Sequence, residues 1–157
     1  MYAHFGYNLK ATDMQAAIGL AQLDKLPGFT ESRRKHFEQL RTKLEPVRDR
    51  LLLPEACPGS HPSWFGFPVT CEKGTDRAKV VPYLESKGIQ TRMLFAGNLI
   101  KQPCFDGIRG VGNGYRVIGD LPNTEQIMRD TFWMGVYPGM SDEMVDYMAE
   151  MMVEAVG

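Results

Sequence analysis

Three side chains ahead of the first helix-forming stretch could meet an anion: the ring of Tyr7, the amide of Asn8 and the ammonium of Lys10. Thr12 follows, and its hydroxyl can accept a hydrogen bond from an orphan amide of a first helical turn. Gln15 lies three residues on, where it can reach back and complete a capping box. Asp13 adds negative charge where the helix dipole is positive. An amide and a cation beside a helix start make a place where phosphate could bind. The same capped helix also occurs in most soluble proteins, and Asn8 could equally satisfy backbone groups of the turn before Thr12.

Other chemistry-bearing residues are scattered. Lys101 carries no motif that marks it as a Schiff-base residue and reads as a surface lysine. Cys57, Cys71 and Cys104 are odd in number and lack a Cys-x-x-Cys pair, so no disulfide framework is expected and a reducing cytoplasm is the default. His61 stands alone in a Pro/Gly-rich loop and is assigned no role. Gly110-Val111-Gly112 lacks the third glycine of a dinucleotide fingerprint, because position 115 is Tyr, and no strand leads into it. It reads as a surface loop. No Ser/His/Asp set, paired carboxylates or metal-spaced cluster stands out.

The elements around these residues alternate. The helix opened by Thr12 carries Met14, Ala17, Ile18 and Ala21 on one face. Pro27-Gly28 marks a break, and Thr30 is expected to cap a second helix whose apolar seam is Phe37, Leu40, Leu44, Val47 and Leu51. Arg33, Arg34, Lys35, Arg41 and Lys43 flank the seam as a solvated face with helical ion pairs. Pro46 predicts a kink or restart near Glu45. A loop from Leu53 to Pro62 precedes a strand from Trp64 to Cys71, where Pro68 argues for an edge or a bulge. Thr75 is expected to cap a helix that Gly88 stops, with Val80, Val81 and Leu84 inside and Pro82 kinking it or delaying its start. Ile89 to Phe95 is the next strand, and Gly97 and Asn98 lead to a short helical turn before Pro103. Asn123 is expected to cap a helix to Asp130, Thr131 to Val136 to form a strand, and Ser141 to cap a last helix. The apolar side of that last helix is Met144, Val145, Met148, Met152 and Ala155. The fold class is α/β: a small sheet of about three or four strands with packed helices.

The chain has 157 residues, 43% hydrophobic and 24% charged, with a formal charge of −1. That suffices for one core. It offers no electrostatic reason to expect nucleic acid or a membrane surface. No apolar run reaches the ~18 residues that suggest a membrane helix, and no signal peptide is expected.

Gly6-Tyr7-Asn8-Leu9-Lys10-Ala11-Thr12-Asp13-Met14-Gln15-Ala16-Ala17-Ile18-Gly19 resembles the segment that opens the C-terminal part of the DegT/DnrJ/EryC1/StrS sugar-nucleotide aminotransferase family. Three further blocks narrow the branch: Gly88 to Leu99, Gly119 to Thr124, and Thr131 to Gly139. Together they are similar to the RfbH-like CDP-4-keto-6-deoxyglucose 3-dehydrase branch of deoxysugar and lipopolysaccharide biosynthesis. The resemblance implies the small C-terminal domain of the type I pyridoxal-phosphate enzyme fold, with a largely antiparallel sheet. Residues 1–157 would form that one domain, and residues 1–26 would join it to a large cofactor domain. It implies a vitamin B6 cofactor, pyridoxal or pyridoxamine phosphate, not expected to bind this chain alone; no iron–sulfur cluster is expected here. By matching motif, Asn8 would reach the cofactor phosphate of a partner subunit. Lys10, Arg92, Phe95, Gly97 and Asn98 would serve the nucleotide-sugar substrate, a CDP-hexose in the parent enzyme. A homo-oligomer, inactive as this chain alone, is the expectation, and a non-catalytic dimerisation or interaction module is the rival.

Overall fold

Thr12 opens the first helix as its residue type predicts. In the computed structural model, which describes residues 9–72, 74–109 and 114–157, α1 spans Asp13–Leu23. Gln15 N donates to Thr12 Oγ1 at 3.3 Å, and Thr12 N donates to Gln15 Oε1 at 2.9 Å, so both halves of the capping box form. The expected apolar stripe is present, but no residue of α1 is buried. Met14 is 77% and Ile18 65% exposed. Tyr7, Asn8 and the Gly110-Val111-Gly112 run lie outside the described residues.

The second helix, α2 (Leu26–Leu44), starts earlier than expected, with Pro27 in its first turn and Thr30 inside it. Proline fits there because its missing N–H would lack a helical partner anyway. His36, Phe37, Leu40 and Leu44 are buried. Pro46 does end the helix, in a 3-10 turn over Glu45–Val47. Leu51 is buried too, but on a strand, β1 (Leu51–Leu52), and not on the helix seam.

Among the described residues β1 joins β2 (Gly66–Cys71), β3 (Thr91–Met93) and β4 (Thr131–Gly135) in one sheet, in the order β1-β2-β4-β3. Every pair is antiparallel. The expected largely antiparallel sheet of three or four strands is therefore present. Two strands are shorter than expected: β2 begins at Gly66 and not Trp64, and β3 covers three residues of the predicted Ile89–Phe95. Pro68 is not on an edge strand, yet its position is consistent with its chemistry. β1 pairs only with Thr70 and Cys71, so nothing asks for the amide proton that Pro68 lacks.

Strand alternation sends Phe67, Val69, Phe132 and Met134 to one face, and all four are buried. Phe37 of α2 meets them there: its ring lies 4.9 Å from that of Phe67 and stacks on Trp64 at 5.0 Å. Val80, Val81 and Leu84 of α3 (Arg77–Ser86) join this core. So do Val145, Ala149, Met152 and Val156 of α5 (Asp142–Val156). Pro82 lies inside α3 without ending it. The cap of α3 is Asp76, whose side chain accepts from Ala78 N at 2.9 Å, and not Thr75. Asn123 likewise does not cap α4 (Pro122–Asp130). Leu121 takes that place with φ 50°, and Pro122 fills the first position. Ser141 caps α5 as expected. Met144 is 52% exposed, so the buried stripe runs through Val145, Ala149 and Met152 instead.

The basic residues of α2 do more than flank a seam. Arg41 pairs with Glu38 on the helix, but Lys35 reaches Asp142 at 2.7 Å and Lys43 reaches Asp146 at 3.0 Å, both on α5. The bond from Lys35, with a second from Gln39, holds the Asp142 carboxyl below its ordinary value of 3.8. A lowered folded value means that the link stabilises the fold above the unfolded value and is lost as pH falls through the folded one. The gap in thermal midpoint between the native chain and Asp142→Asn should therefore shrink between about pH 5 and about pH 2. A gap that stays constant in a melting series would show that the carboxylate charge contributes nothing.

Candidate functional site

Lys10 is exposed on the lead-in to α1. The capping box takes up the N–H groups of Thr12 and Gln15. The start of α1 therefore offers an anion side chains more than a ready backbone cradle, and the described residues do not by themselves form a phosphate cup.

Arg92, Phe95, Gly97 and Asn98 come together on β3 and the turn that follows it. Arg92 pairs in register with Trp133 and borders a cleft of about 440 Å³ with Gln90, Trp133, Tyr137, Met140 and Tyr147. The guanidinium has no ion-pair partner among the described residues. Phe95 is 79% exposed at φ 51°, and its N–H donates to Met93 O at 2.7 Å. Gly97 has φ 61°, and a β-carbon on it would lie 2.9 Å from Cα of Met128 on α4. Asn98 is 3% exposed. Its Nδ2 lies 3.4 Å from Glu125 Oε2. It opens the short turn Leu99–Lys101, in the place the sequence predicts. No described contact joins Lys10 to this block.

Two residues of this neighbourhood escape sequence reasoning. Glu125 on α4 accepts from Lys101 Nζ at 2.7 Å as well as from Asn98. Gln102 Nε2 donates to Ala96 O at 2.6 Å. Glu125 has no local signal, because its partners stand more than twenty residues away in the chain, whereas the partner of Gln102 is only six residues away and is missed because no turn motif marks it. Lys101 itself is half exposed and paired.

The cysteines are free: Cys57 and Cys104 exposed, Cys71 buried. Burial pushes the Cys71 thiol up to about 11, which leaves it a poor nucleophile at neutral pH. His36 is buried, with Nδ1 3.2 Å from Tyr137 O. His61 lies in the loop, where its carbonyl and that of Pro62 accept bonds from Arg34. Among the described residues no His/Cys/Asp/Glu group is arranged for a metal, and no helix is long and apolar enough to cross a membrane.

Residues 1–153 match the DegT/DnrJ/EryC1/StrS aminotransferase family, and the chain belongs to it. Lipopolysaccharide biosynthesis protein RfbH of Salmonella typhimurium is 48% identical over 158 residues, covering 99% of this chain and 35% of that protein. The dTDP-4-dehydro-2,6-dideoxy-D-glucose 3-dehydratase of Saccharopolyspora spinosa is 45% identical, covering 99% of this chain and 33% of its own length. The chain thus spans about a third of the length of these curated relatives. Escherichia coli GDP-4-keto-6-deoxy-D-mannose-3-dehydratase, solved with hydrated PLP bound, superposes with a TM-score of 0.78 at 29% identity, over 94% of this chain and 36% of that one. The fold is therefore that of a domain from this pyridoxal-phosphate aminotransferase class.

Proposed function

We propose that this chain is the carboxyl-terminal small domain of a vitamin B6-dependent sugar-nucleotide dehydratase or aminotransferase, and that it contributes to an active site without holding one. The supporting observation is a relative 48% identical across 99% of this chain, of which the chain spans 35%. In this reading residues 1–26 join the domain to a large cofactor-bearing one, and the whole acts as a homo-oligomer on a nucleotide sugar such as a CDP-hexose. Asn8 reaches the cofactor phosphate across the subunit boundary, and Lys10 lies toward substrate phosphates. The block of Arg92, Phe95, Gly97 and Asn98 borders the sugar-nucleotide pocket. The cofactor, when bound, supplies the electron sink for chemistry at the sugar; the side chains of this chain bind and orient.

Asn8→Ala in the full-length enzyme carrying this segment tests the proposal. Loss of a donor to a charged phosphate costs roughly 1.5–3 kcal/mol. Cofactor affinity should then fall about tenfold to a hundredfold, with the thermal midpoint of the cofactor-free protein unchanged. A lowered midpoint with unchanged affinity would make Asn8 a structural residue of the turn before Thr12. Heterodimers of Asn8→Ala subunits with subunits disabled at the cofactor-holding residue then test the shared site. If Asn8 acts across the interface, the intact cofactor domain of one subunit meets the intact Asn8 of the other and that site works, while the second site carries both defects. An asparagine serving its own subunit would leave each site with one defect, so neither would work.

A further inference from the structure

The turn after β3 is held in a shape that its own residues do not favour. Phe95 carries a β-carbon and a ring, yet its φ of 51° lies in the left-handed region, which side-chain-bearing residues avoid. The residue is 79% exposed, so burial does not offset the strain. Strained backbone of this kind persists where the surroundings over-determine it, and it clusters at ligand clamps and active sites.

Here the surroundings are supplied by α4 and by the segment that follows the turn. Gly97 approaches α4 so closely that a β-carbon would meet Met128. Gln102 ties down Ala96 O at 2.6 Å. Glu125 then uses both carboxylate oxygens on one short stretch of chain: Oε1 takes Lys101 Nζ at 2.7 Å and Oε2 lies 3.4 Å from the buried amide of Asn98. The lysine contact is the short, charge-assisted one and the stronger of the two. It also keeps the Glu125 carboxyl below the usual carboxylate range.

We propose that Glu125 is a positioning residue, clamping residues 98–101 to α4 so that the Phe95 ring stands outward as a preformed flat face for the sugar or base of a nucleotide sugar. The substrate class rests on the reading of the Arg92–Asn98 block as a border of the substrate pocket; the clamp itself rests on the contacts above. Without the carboxylate, the Asn98 amide loses its partner and Lys101 its anchor, and the strained turn is free to relax.

Limited chymotrypsin digestion of the 157-residue chain reads the clamp directly. The protease needs an extended segment, so cleavage after Phe95 reports the population of opened turns. Cleavage after Phe132, in the middle of the sheet, reports global unfolding in the same digest. Glu125→Ala and Lys101→Glu should each speed cleavage at Phe95 by about threefold to tenfold, the shift expected from an exposed ion pair and one hydrogen bond. Cleavage at Phe132 should stay unchanged. Lys101→Glu combined with Glu125→Lys restores the ion pair in reverse, though not the carboxylate acceptor of the Asn98 amide, and should bring the rate part of the way back to that of the native chain. Native cleavage rates in both single variants, or a reversed pair that opens as readily as Lys101→Glu alone, would overturn the clamp. Should Glu125→Ala open the whole fold, Lys101→Glu and its reversed pair still decide the matter.

The same variants in the full-length enzyme test the pocket. Glu125→Ala should raise KM for the nucleotide sugar with kcat nearly unchanged, and the reversed pair should recover part of the loss in KM. An opened turn with unchanged KM would overturn the pocket border while leaving the clamp in place.

Discussion

Phe132→Ala should remove about 3–5 kcal/mol of folding stability. Phe132 is fully buried and among the largest fully buried side chains of the molecule. It sits on β4, which has β2 on one side and β3 on the other, opposite Val69 and Met93. A strand bonded along both edges cannot move inward to fill the space that the ring leaves, so the lost transfer energy is joined by the cost of a cavity. A domain of this size has about 5–15 kcal/mol of stability in all, and the variant would keep little of it. Urea denaturation checks this: the midpoint should fall sharply with the slope unchanged. A loss below about 1 kcal/mol would mean that the core is not packed around this ring.

Gly97→Ala should cost about 2–5 kcal/mol, from two separable causes. Its φ of 61° charges about 1–2 kcal/mol to any residue with a β-carbon. The new methyl would also press on Met128, including its Cα at 2.9 Å, and overpacking adds about 1–3 kcal/mol. Gly88→Ala is the control. Gly88 has φ 78° but nothing within 4 Å of a β-carbon, so it carries the backbone cost alone. The difference between the two urea midpoints isolates the packing of the turn on α4. Equal losses would show that this approach is not tight.

Much of the helical framework was legible because its signals are local. The capping box of Thr12 and Gln15, the seam of Phe37, Leu40 and Leu44, the stop at Gly88 and the cap at Ser141 each involve residues within a turn or two of one another. Where the expectations missed, several polar residues competed for one role. Thr75 yielded to Asp76, the residue next to the helix. Asn123 yielded to Leu121 and Pro122, whose fixed φ suits a first helical position. Thr30 yielded to Pro27 for the same reason. Of the candidate site, the strand-and-turn block at Arg92 to Asn98 could be named in advance from its contiguous motif. Its support from Glu125 through Asn98 and Lys101 could not, because no periodicity links residues on separate elements.

From the sequence alone came the α/β class, the order of the longer elements but not β1, the family and the segments to inspect, since propensity, capping and contiguous motif all act along the chain. Only the tertiary structure decided which strands neighbour which, that Pro68 stands beyond the reach of β1, and that the stripe of α1 stays uncovered within the described residues. It also decided that one carboxylate on α4 takes both Asn98 and Lys101. The physical reason is that these are choices among long-range contacts. Their energies depend on which surfaces meet, and a residue's type and its near neighbours carry no record of a partner brought up by the folding of the rest.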